Sequence, residues 1–342
     1  MSTPYQGLPN HQFHSRTVTG RHPSRFDPVV ATRFSLDRTT KIMTMGSCFA
    51  QHLSRWLMDH SFNLLLRETA AQGGGLFSAN YGNVYTVRQA LQLYDRAFGS
   101  WQANDTLYQN AEGRCFDPLR PSAVTDGFAN AQDALADRAA HEAHVRDLFS
   151  DAQVLVFTLG LTEAWIRNAD GAVLPIAPGV VAGEYDPTHY SFRNFAYDEV
   201  LADLRLLLSR LAVVNPSCKV LLTVSPVPLA ATFEGRHVSV SSMASKAILR
   251  AVVEVVLAEF QQVDYFPSFE IFFTPGVGSG YFDHDARHVL PTGVAHAMRV
   301  FESHYAQTGA PVAPRNPEQL VEYARKVRVD YMNVNCDEGK IR

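Results

Sequence analysis

The stretch KIMTMGSCFAQHLSRWL, residues 41–57, joins two sequence patterns without a gap. Its first part is a short apolar run, which is typical of a buried strand and breaks at Gly46. After Cys48 the apolar residues recur at the spacing of one helix face. We therefore expect a strand that turns directly into a helix, with Ser47 and Cys48 on the turn.

A turn of this kind offers the chemistry that a nucleophile needs. The first N–H groups of a helix have no partners within the helix, and the helix dipole is positive at that end. Both effects favour a thiolate and stabilise a developing oxyanion. We interpret Cys48 as a candidate nucleophile. The alternative at this point is an inert buried thiol, because cysteine is among the most buried residue types.

Further strand-like segments follow, and helical patterns separate them. They lie at residues 152–159, 219–225 and 263–273. Strands that alternate with helices favour βαβ units, and hence a central parallel sheet with helices on both faces. The prediction is an α/β three-layer sandwich. Loop insertions, such as a hairpin or long loop at residues 168–195, are expected on the rim where ligands bind.

Single residues mark the start of two predicted helices. Thr86 is a suitable N-cap for a helix over residues 87–97. Pro291 fits the first turn of a helix that runs to residue 306. His288 is therefore expected on the loop that precedes this last helix.

The composition of the chain argues against several functional classes. Its 342 residues are 46% hydrophobic, enough for a large core, while the net charge of -4 and the pI near 6.3 argue against nucleic-acid and anionic-membrane surfaces. The start of the chain lacks the apolar segment of an export signal, and no run approaches the roughly 18 apolar residues of a membrane span. We expect a cytoplasmic protein.

The cysteines are widely spaced, and none of the spacings is that of a zinc site. They lie at Cys48, Cys115, Cys218 and Cys336. This arrangement favours thiols in a reducing compartment, and we expect neither a metal nor another cofactor.

The ends of the chain differ in composition from its middle. Residues 1–38 are rich in Pro, His, Arg and Ser without periodicity, so an extended lead-in is expected there. The other end is first Pro-rich and then charged, with a helical pattern at residues 317–327. We predict one catalytic domain over residues 39–310, followed by a C-terminal extension over residues 311–342.

A cysteine nucleophile needs a base within hydrogen-bond reach and a group that orients the base. Asp285 lies three residues before His288 on the predicted loop, so its carboxylate can bind one imidazole nitrogen and leave the other for the nucleophile. Cys48, His288 and Asp285 are therefore predicted as nucleophile, base and orienting carboxylate.

The order of these pieces resembles that of the SGNH hydrolase superfamily. The pieces are Gly-x-nucleophile after the first strand, Asn80-Tyr-Gly82, Gly160-Leu-Thr-Glu163, and Asp-x-x-His before the last helix. Within that group, the segments at 45–50, 158–165, 225–228, 245–247 and 265–270 look like the GSCFA family. The resemblance spans about residues 38 to 305 and implies a flavodoxin-like sandwich.

The resemblance also implies roles for single residues. Cys48 falls on the position of the superfamily's serine nucleophile, and Gly82 matches the glycine of its oxyanion hole. Thr162 replaces the asparagine that supplies a further oxyanion donor. The hole would then use the N–H groups of Cys48 and Gly82, with Thr162 or Asn83 as a further donor.

A thiol nucleophile also bears on the reaction. A thioester passes its acyl group to an amine or alcohol more readily than an oxyester does, which favours acyl transfer over hydrolysis. The expected partners are a small-molecule or carbohydrate acyl donor and acceptor, with no nucleic acid and no membrane. Glu163, Trp165 and Ser47 are weaker candidates for substrate contact.

Alternative functions remain compatible with the same residues. Ser47 is an alternative nucleophile for an esterase of the same fold, with Cys48 structural. A non-catalytic glycan- or partner-binding module is a second alternative, because two blocks lack their usual Asn and Asp. The spacing of His284 and His288, with Asp285 between them, gives weak support to a metal site.

Overall fold

The computed structural model describes residues 2–68, 76–306 and 337–341. The chain divides into two compact units. The larger comprises Arg38–Tyr265 and Val334–Arg342, and the smaller comprises Met1–Asp37 and Phe266–Asn333. The helical pattern predicted at residues 317–327, and Cys336, lie outside the described residues.

Helices and strands alternate along the larger unit. The α-helices of the described chain are α1 His14–Thr17, α2 Ala50–Asp59, α3 Val87–Ala97, α4 Ala131–Asp151, α5 Tyr197–Val214, α6 Val238–Glu259, α7 Ser268–Phe273 and α8 Pro291–Tyr305. The strands are β1 Ile42–Gly46, β2 Tyr108–Gln109, β3 Cys115–Phe116, β4 Val154–Leu159, β5 Glu163–Arg167, β6 Ala172–Leu174, β7 Tyr190–Asn194, β8 Lys219–Val224 and β9 Val263–Tyr265. Within the described ranges, no helix has both the length and the apolar content needed to cross a membrane.

A four-stranded parallel sheet in the order β1-β4-β8-β9 lies at the centre of the larger unit, and helices flank it. Every residue of β1 and β4 is buried, because these strands are mainly apolar and are covered on both faces. The predicted α/β fold with a central parallel sheet is confirmed.

The segments that follow β1 in the chain are added on opposite sides of this strand. After β1 and α2, residue Leu64 forms a parallel bridge to Ile42 on the side away from β4. The N–H of Ile42 donates to the carbonyl of Asn63 at 3.0 Å, and the N–H of Leu65 donates to that of Ile42 at 2.8 Å. The carboxyl ends of β1 and β4 therefore flank a switch point, where open α/β sheets bind ligands.

A second, antiparallel sheet follows β4. Its order is β6-β5-β7, and it includes the segment predicted as an insertion at residues 168–195. Trp165 on β5 lies opposite Phe192 on β7. Of the predicted hairpin or long loop, residues 172–174 and 190–194 form antiparallel strands on either side of β5, and the residues between them lie outside the strands.

The smaller unit corrects one prediction and agrees with another. Residues 263–273 were expected to form one strand, but β9 ends at Tyr265, and residues 268–273 form the helix α7. The helical spacing stacks the rings of Phe269 and Phe273 with their centroids 4.6 Å apart. At the other end of the unit, α8 begins at Pro291 as predicted. The N-terminal residues include short helical turns and the short helix α1.

Candidate active site

The turn after β1 is built around Gly46, which has a φ of +137°. A Cβ atom at this position would lie 2.3 Å from the carbonyl oxygen of Thr158 on β4, so the turn requires glycine. The N–H of Ser47 donates to that same oxygen at 3.0 Å. Helix α2 begins at Ala50, which places Ser47 and Cys48 directly before its positive end.

The Cys48 side chain is 4% exposed and lies beside a very small cavity. The cavity holds about 10 Å³, which is room for about one water molecule. It is lined by Ser47, Cys48, Tyr85, Gly160, Leu161, Ser225, Val227, Leu229, Lys246 and Glu338. The ends of β1, β4 and β8 therefore meet around the thiol.

Lys246 is the site residue that the sequence reasoning missed. It is 2% exposed, and its Nζ donates to the carbonyl oxygen of Gly160 at 2.5 Å. An ammonium beside a thiol favours the thiolate, so this lysine suits the activation of Cys48. A signal was present in the sequence, because Lys246 lies on the same stripe of α6 as Ser242 and Leu249, which are buried.

The loop that carries Gly82 and Asn83 is attached to the same turn. The N–H of Val84 donates to the carbonyl oxygen of Gly46 at 2.8 Å. The Asn83 side chain is buried, and its Nδ2 donates to an Asp337 carboxylate oxygen at 3.1 Å. The amide predicted as an oxyanion donor therefore already binds a carboxylate.

Thr162 was predicted as a further oxyanion donor, but its hydroxyl and its N–H both bind other protein groups. Its hydroxyl donates to the Oδ1 of Asn194 at 2.7 Å, and its N–H donates to the Oγ of Ser245 at 2.9 Å. Thr162 does not belong to the lining of the Cys48 cavity. Its hydrogen bonds instead connect the exit of β4 to β7 and α6, which suggests a positioning role.

Asp285 and His288 form a compact pair in the smaller unit. One carboxylate oxygen of Asp285 accepts the N–H groups of Arg287 and His288 at 3.0 Å each, and the other contacts the Nδ1 of His288. Partial desolvation opposes ionisation, but these hydrogen bonds outweigh it and lower the pKa of Asp285. With Nδ1 engaged, Nε2 is the nitrogen that remains for proton transfer. The pair thus has the geometry of a base held by an orienting carboxylate.

The loop around this pair holds itself together by backbone contacts. The N–H of Asp283 donates to the carbonyl of His288 at 2.8 Å, and Phe282 forms an antiparallel bridge with Val289. His284 binds Asp283 at 2.9 Å. Across the described ranges, no three His, Cys, Asp or Glu side chains converge as ligands for a metal.

Glu163 and Trp165 line a different and larger cavity of the larger unit, of about 240 Å³. Burial raises the pKa of the Glu163 carboxyl, although hydrogen bonds from the hydroxyl of Thr232 and the N–H of Phe233 oppose this shift. The cavity shares lining residues with that of Cys48, namely Tyr85, Leu161, Leu229 and Glu338. The two cavities are therefore neighbours.

Fold and site together define an α/β protein with a buried thiol at the switch point of its sheet. The model of the GSCFA family matches residues 41–301, and the chain belongs to this family. No curated protein matches the chain. A crystal structure of a mutant acetyl esterase with acetate ion is similar to 84% of this chain and 100% of that chain, with 12% identity and a TM-score of 0.33.

Proposed function

We propose that the protein is a cofactor-independent acyl-transfer enzyme of the hydrolase type with Cys48 as nucleophile. The observation that carries the proposal is the position of the thiol. It lies on a strand-to-helix turn and shares a cavity with the buried ammonium of Lys246. The turn and the cation both stabilise a thiolate, which is the reactive form of cysteine.

In the proposed reaction, the Cys48 thiol gives its proton to His288, and the resulting thiolate attacks the carbonyl carbon of an acyl donor. The bond from that carbon to its leaving group breaks, and protonated His288 gives a proton to the leaving group. An acceptor hydroxyl, an amine or water then attacks the thioester carbonyl and gives its proton to His288, and the carbon–sulfur bond breaks to release the acyl product and the Cys48 thiolate. Asp285 holds the imidazole and stabilises its charged form.

The proposed oxyanion hole consists of the N–H groups of Cys48 and Gly82 together with the Asn83 side-chain amide. Removing one donor from such a hole costs about 3 to 4 kcal/mol of transition-state stabilisation. Asn83 is favoured over Thr162 because its Nδ2 already binds a carboxylate oxygen, whereas the Thr162 hydroxyl donates to Asn194. The donor and acceptor are small molecules or carbohydrates.

Intact-mass spectrometry tests this proposal directly. The protein is incubated with a panel of acyl thioesters and activated esters, and the adduct is mapped by peptide analysis. We expect one acyl group on Cys48, which hydroxylamine removes as expected of a thioester. Absence of an adduct throughout the panel, or an adduct confined to Cys115 or Cys218, would argue against this mechanism.

Ser47 supports a second candidate, a serine esterase on the same fold. Its Oγ is buried, has no hydrogen-bond partner among the described residues, and lies on the cavity of Cys48. A fluorophosphonate adduct on Ser47, with activity that survives thiol alkylation, would favour this esterase over the thiol enzyme.

A further inference from the structure

The cavity beside Trp165 has the properties of a site for the acyl group of the substrate. It holds about 240 Å³, more than the roughly 150 Å³ cavity that binds benzene in another protein. Its walls are mainly apolar and include Leu161, Ile176, Phe192 and Phe233. Because it shares lining residues with the cavity of Cys48, it is placed to receive the chain of an acyl group whose carbonyl lies at the thiol.

The polar groups of the wall are mostly engaged inside the protein. Glu163 accepts hydrogen bonds from Thr232 at 2.6 Å and from the Phe233 N–H at 3.3 Å. The Gln89 side chain donates to the Asn83 carbonyl at 2.9 Å. The surface that these groups leave to a ligand is thus mainly apolar, with Glu338 where the cavity meets that of Cys48.

The aromatic rings in the wall favour a flexible chain over a flat ring. The planes of Trp165 and Phe233 are inclined by 68°, and those of Trp165 and Phe192 by 63°. No two of these three rings are parallel, so a flat group has no pair of faces between which to stack.

We propose that this cavity binds the alkyl chain of a medium-length acyl group, of about eight carbons. This inference rests on the proposed function, because it assigns the substrate class of the same site. Each methylene buried in the cavity is expected to strengthen binding roughly fourfold. Octanoyl donors should therefore acylate Cys48 at least tenfold faster than acetyl donors with the same leaving group.

The test compares octanoyl and acetyl thioesters on the intact protein, with Ala231→Trp to fill the cavity from its exposed rim. We expect this variant to lower the octanoyl-to-acetyl rate ratio at least tenfold. Leu206→Ser removes an exposed apolar side chain outside the cavity and should leave the ratio unchanged. An unchanged ratio in Ala231→Trp would overturn the assignment.

Calorimetry separates failure of this inference from failure of the proposed function. Octanoate, benzoate and acetate are titrated into Cys48→Ala, which binds without reacting. Octanoate that binds at least tenfold tighter than acetate, and more weakly in Cys48→Ala/Ala231→Trp, supports the cavity even where no thiol adduct forms. Equal affinities, or a preference for benzoate, would overturn it.

An independent observation concerns the described C-terminal residues 337–341. The carboxylate of Asp337 is buried and accepts hydrogen bonds from Asn83 at 3.1 Å and from the Ser122 hydroxyl at 2.7 Å, with Lys340 at 3.5 Å. Glu338 lies at the junction, because it lines both cavities, and Ile341 lines the apolar one. One short segment therefore touches the acyl cavity, the thiol cavity and the proposed oxyanion donor.

We propose that residues 337–341 act as an intramolecular competitor of the substrate. With this segment in place, the cavity at Cys48 has room for about one water molecule and none for an acyl group. The Asp337 carboxylate also accepts the hydrogen bond that the Asn83 amide would otherwise donate to the oxyanion. Acylation thus requires the segment to leave, and any factor that displaces it activates the protein.

Alkylation of Cys48 tests this proposal without reference to enzymatic activity. Iodoacetamide labelling is followed by mass spectrometry in the intact chain and in Asp337→Ala/Glu338→Ala. We expect Cys48 to react at least tenfold faster in the variant. Asp147→Ala/Glu254→Ala removes two exposed carboxylates elsewhere and should have no effect.

Cys218 serves as an internal control for loosening of the fold, because it is buried away from this segment. An equal rise in labelling at Cys48 and Cys218, or none at Cys48, would overturn the proposal. Ser122→Ala removes only the hydroxyl that binds Asp337 and is a milder second variant. It should accelerate Cys48 labelling severalfold, and an unchanged rate would count against the proposal.

Discussion

The turn that holds Cys48 and the loop that holds His288 are stabilised in opposite ways. The turn is buried, and its geometry depends on contacts with distant residues such as Thr158 and Lys246. The His288 side chain is 66% exposed, and its loop is held by hydrogen bonds between residues of the loop itself. A substitution at the turn should therefore change both stability and reactivity, whereas one at the loop should change reactivity alone.

Removal of the thiol should have the largest effect. Cys48→Ala is expected to lower turnover roughly 10⁴-fold or more, because the proposed acyl intermediate on sulfur then cannot form. Steady-state rates with an acyl thioester measure this. Cys218→Ala, which also removes a buried thiol, should keep its activity. Retained turnover in Cys48→Ala would show that the turn is structural and that Cys48 is not the nucleophile.

Removal of the imidazole should affect the rate but not the stability. His288→Asn is expected to lower turnover roughly 10²- to 10⁴-fold, the usual contribution of a general base. The Tm should stay within error, because the side chain is exposed. His284→Asn, four residues earlier and also exposed, is the matched control. An equal loss of rate in both variants would show that His288 has no special role.

A methyl group at the nucleophile turn should affect stability most. Gly46→Ala is expected to lower the free energy of unfolding by roughly 2 to 4 kcal/mol, through the contact with Thr158 and the positive φ. Ala286 on the His288 loop already has a φ of +55°, so Ala286→Gly should cost nothing. Urea unfolding of both variants decides this, and similar losses would contradict it.

Removal of the buried ammonium should have a smaller effect that is specific to the thiol. Lys246→Met is expected to move the pH midpoint of Cys48 alkylation upward by about one unit, because a nearby positive charge favours the thiolate. Below the midpoint, alkylation should be about tenfold slower. Lys219→Met removes an exposed lysine and should leave the profile unchanged. Coincident profiles for Lys246→Met and wild type would exclude this role.

The last effect appears only below neutral pH and concerns His52, one helical turn beyond Cys48. Burial, with the charge of Arg55, lowers the pKa of His52 to about 3, so the unfolded chain binds its proton first as the pH falls. This site therefore contributes full stability above about pH 6.5, and the contribution declines between pH 6.5 and 3 by about 1.4 kcal/mol per pH unit. His52→Gln should lack that decline in urea titrations, whereas exposed His11→Gln should retain it.

The sequence predicted the parts of the site that depend on local pattern. The apolar run that stops at Gly46, the cap at Thr86 and the proline at 291 each mark an element boundary within a few residues, and the structure agrees at all three. The Asp285–His288 hydrogen bond also follows from a spacing of three residues on one loop.

The remaining features depend on long-range packing that a linear pattern does not encode. Lys246 lies beside Cys48 only because α6 folds back over the end of β4. Asp337 contacts Asn83 across more than 250 positions of the chain. The aromatic run at residues 268–273 has strand-like composition, but it packs as a helix.

The position of residues 337–341 beside the cavity of Cys48 has a consequence for ligand discovery. A tethered segment acts at a high local concentration, so a dissolved compound binds only after it displaces that segment. Screens with the intact chain would then underestimate the affinity of true ligands, and weak fragments would escape detection. Asp337→Ala/Glu338→Ala is the better form in which to search for ligands.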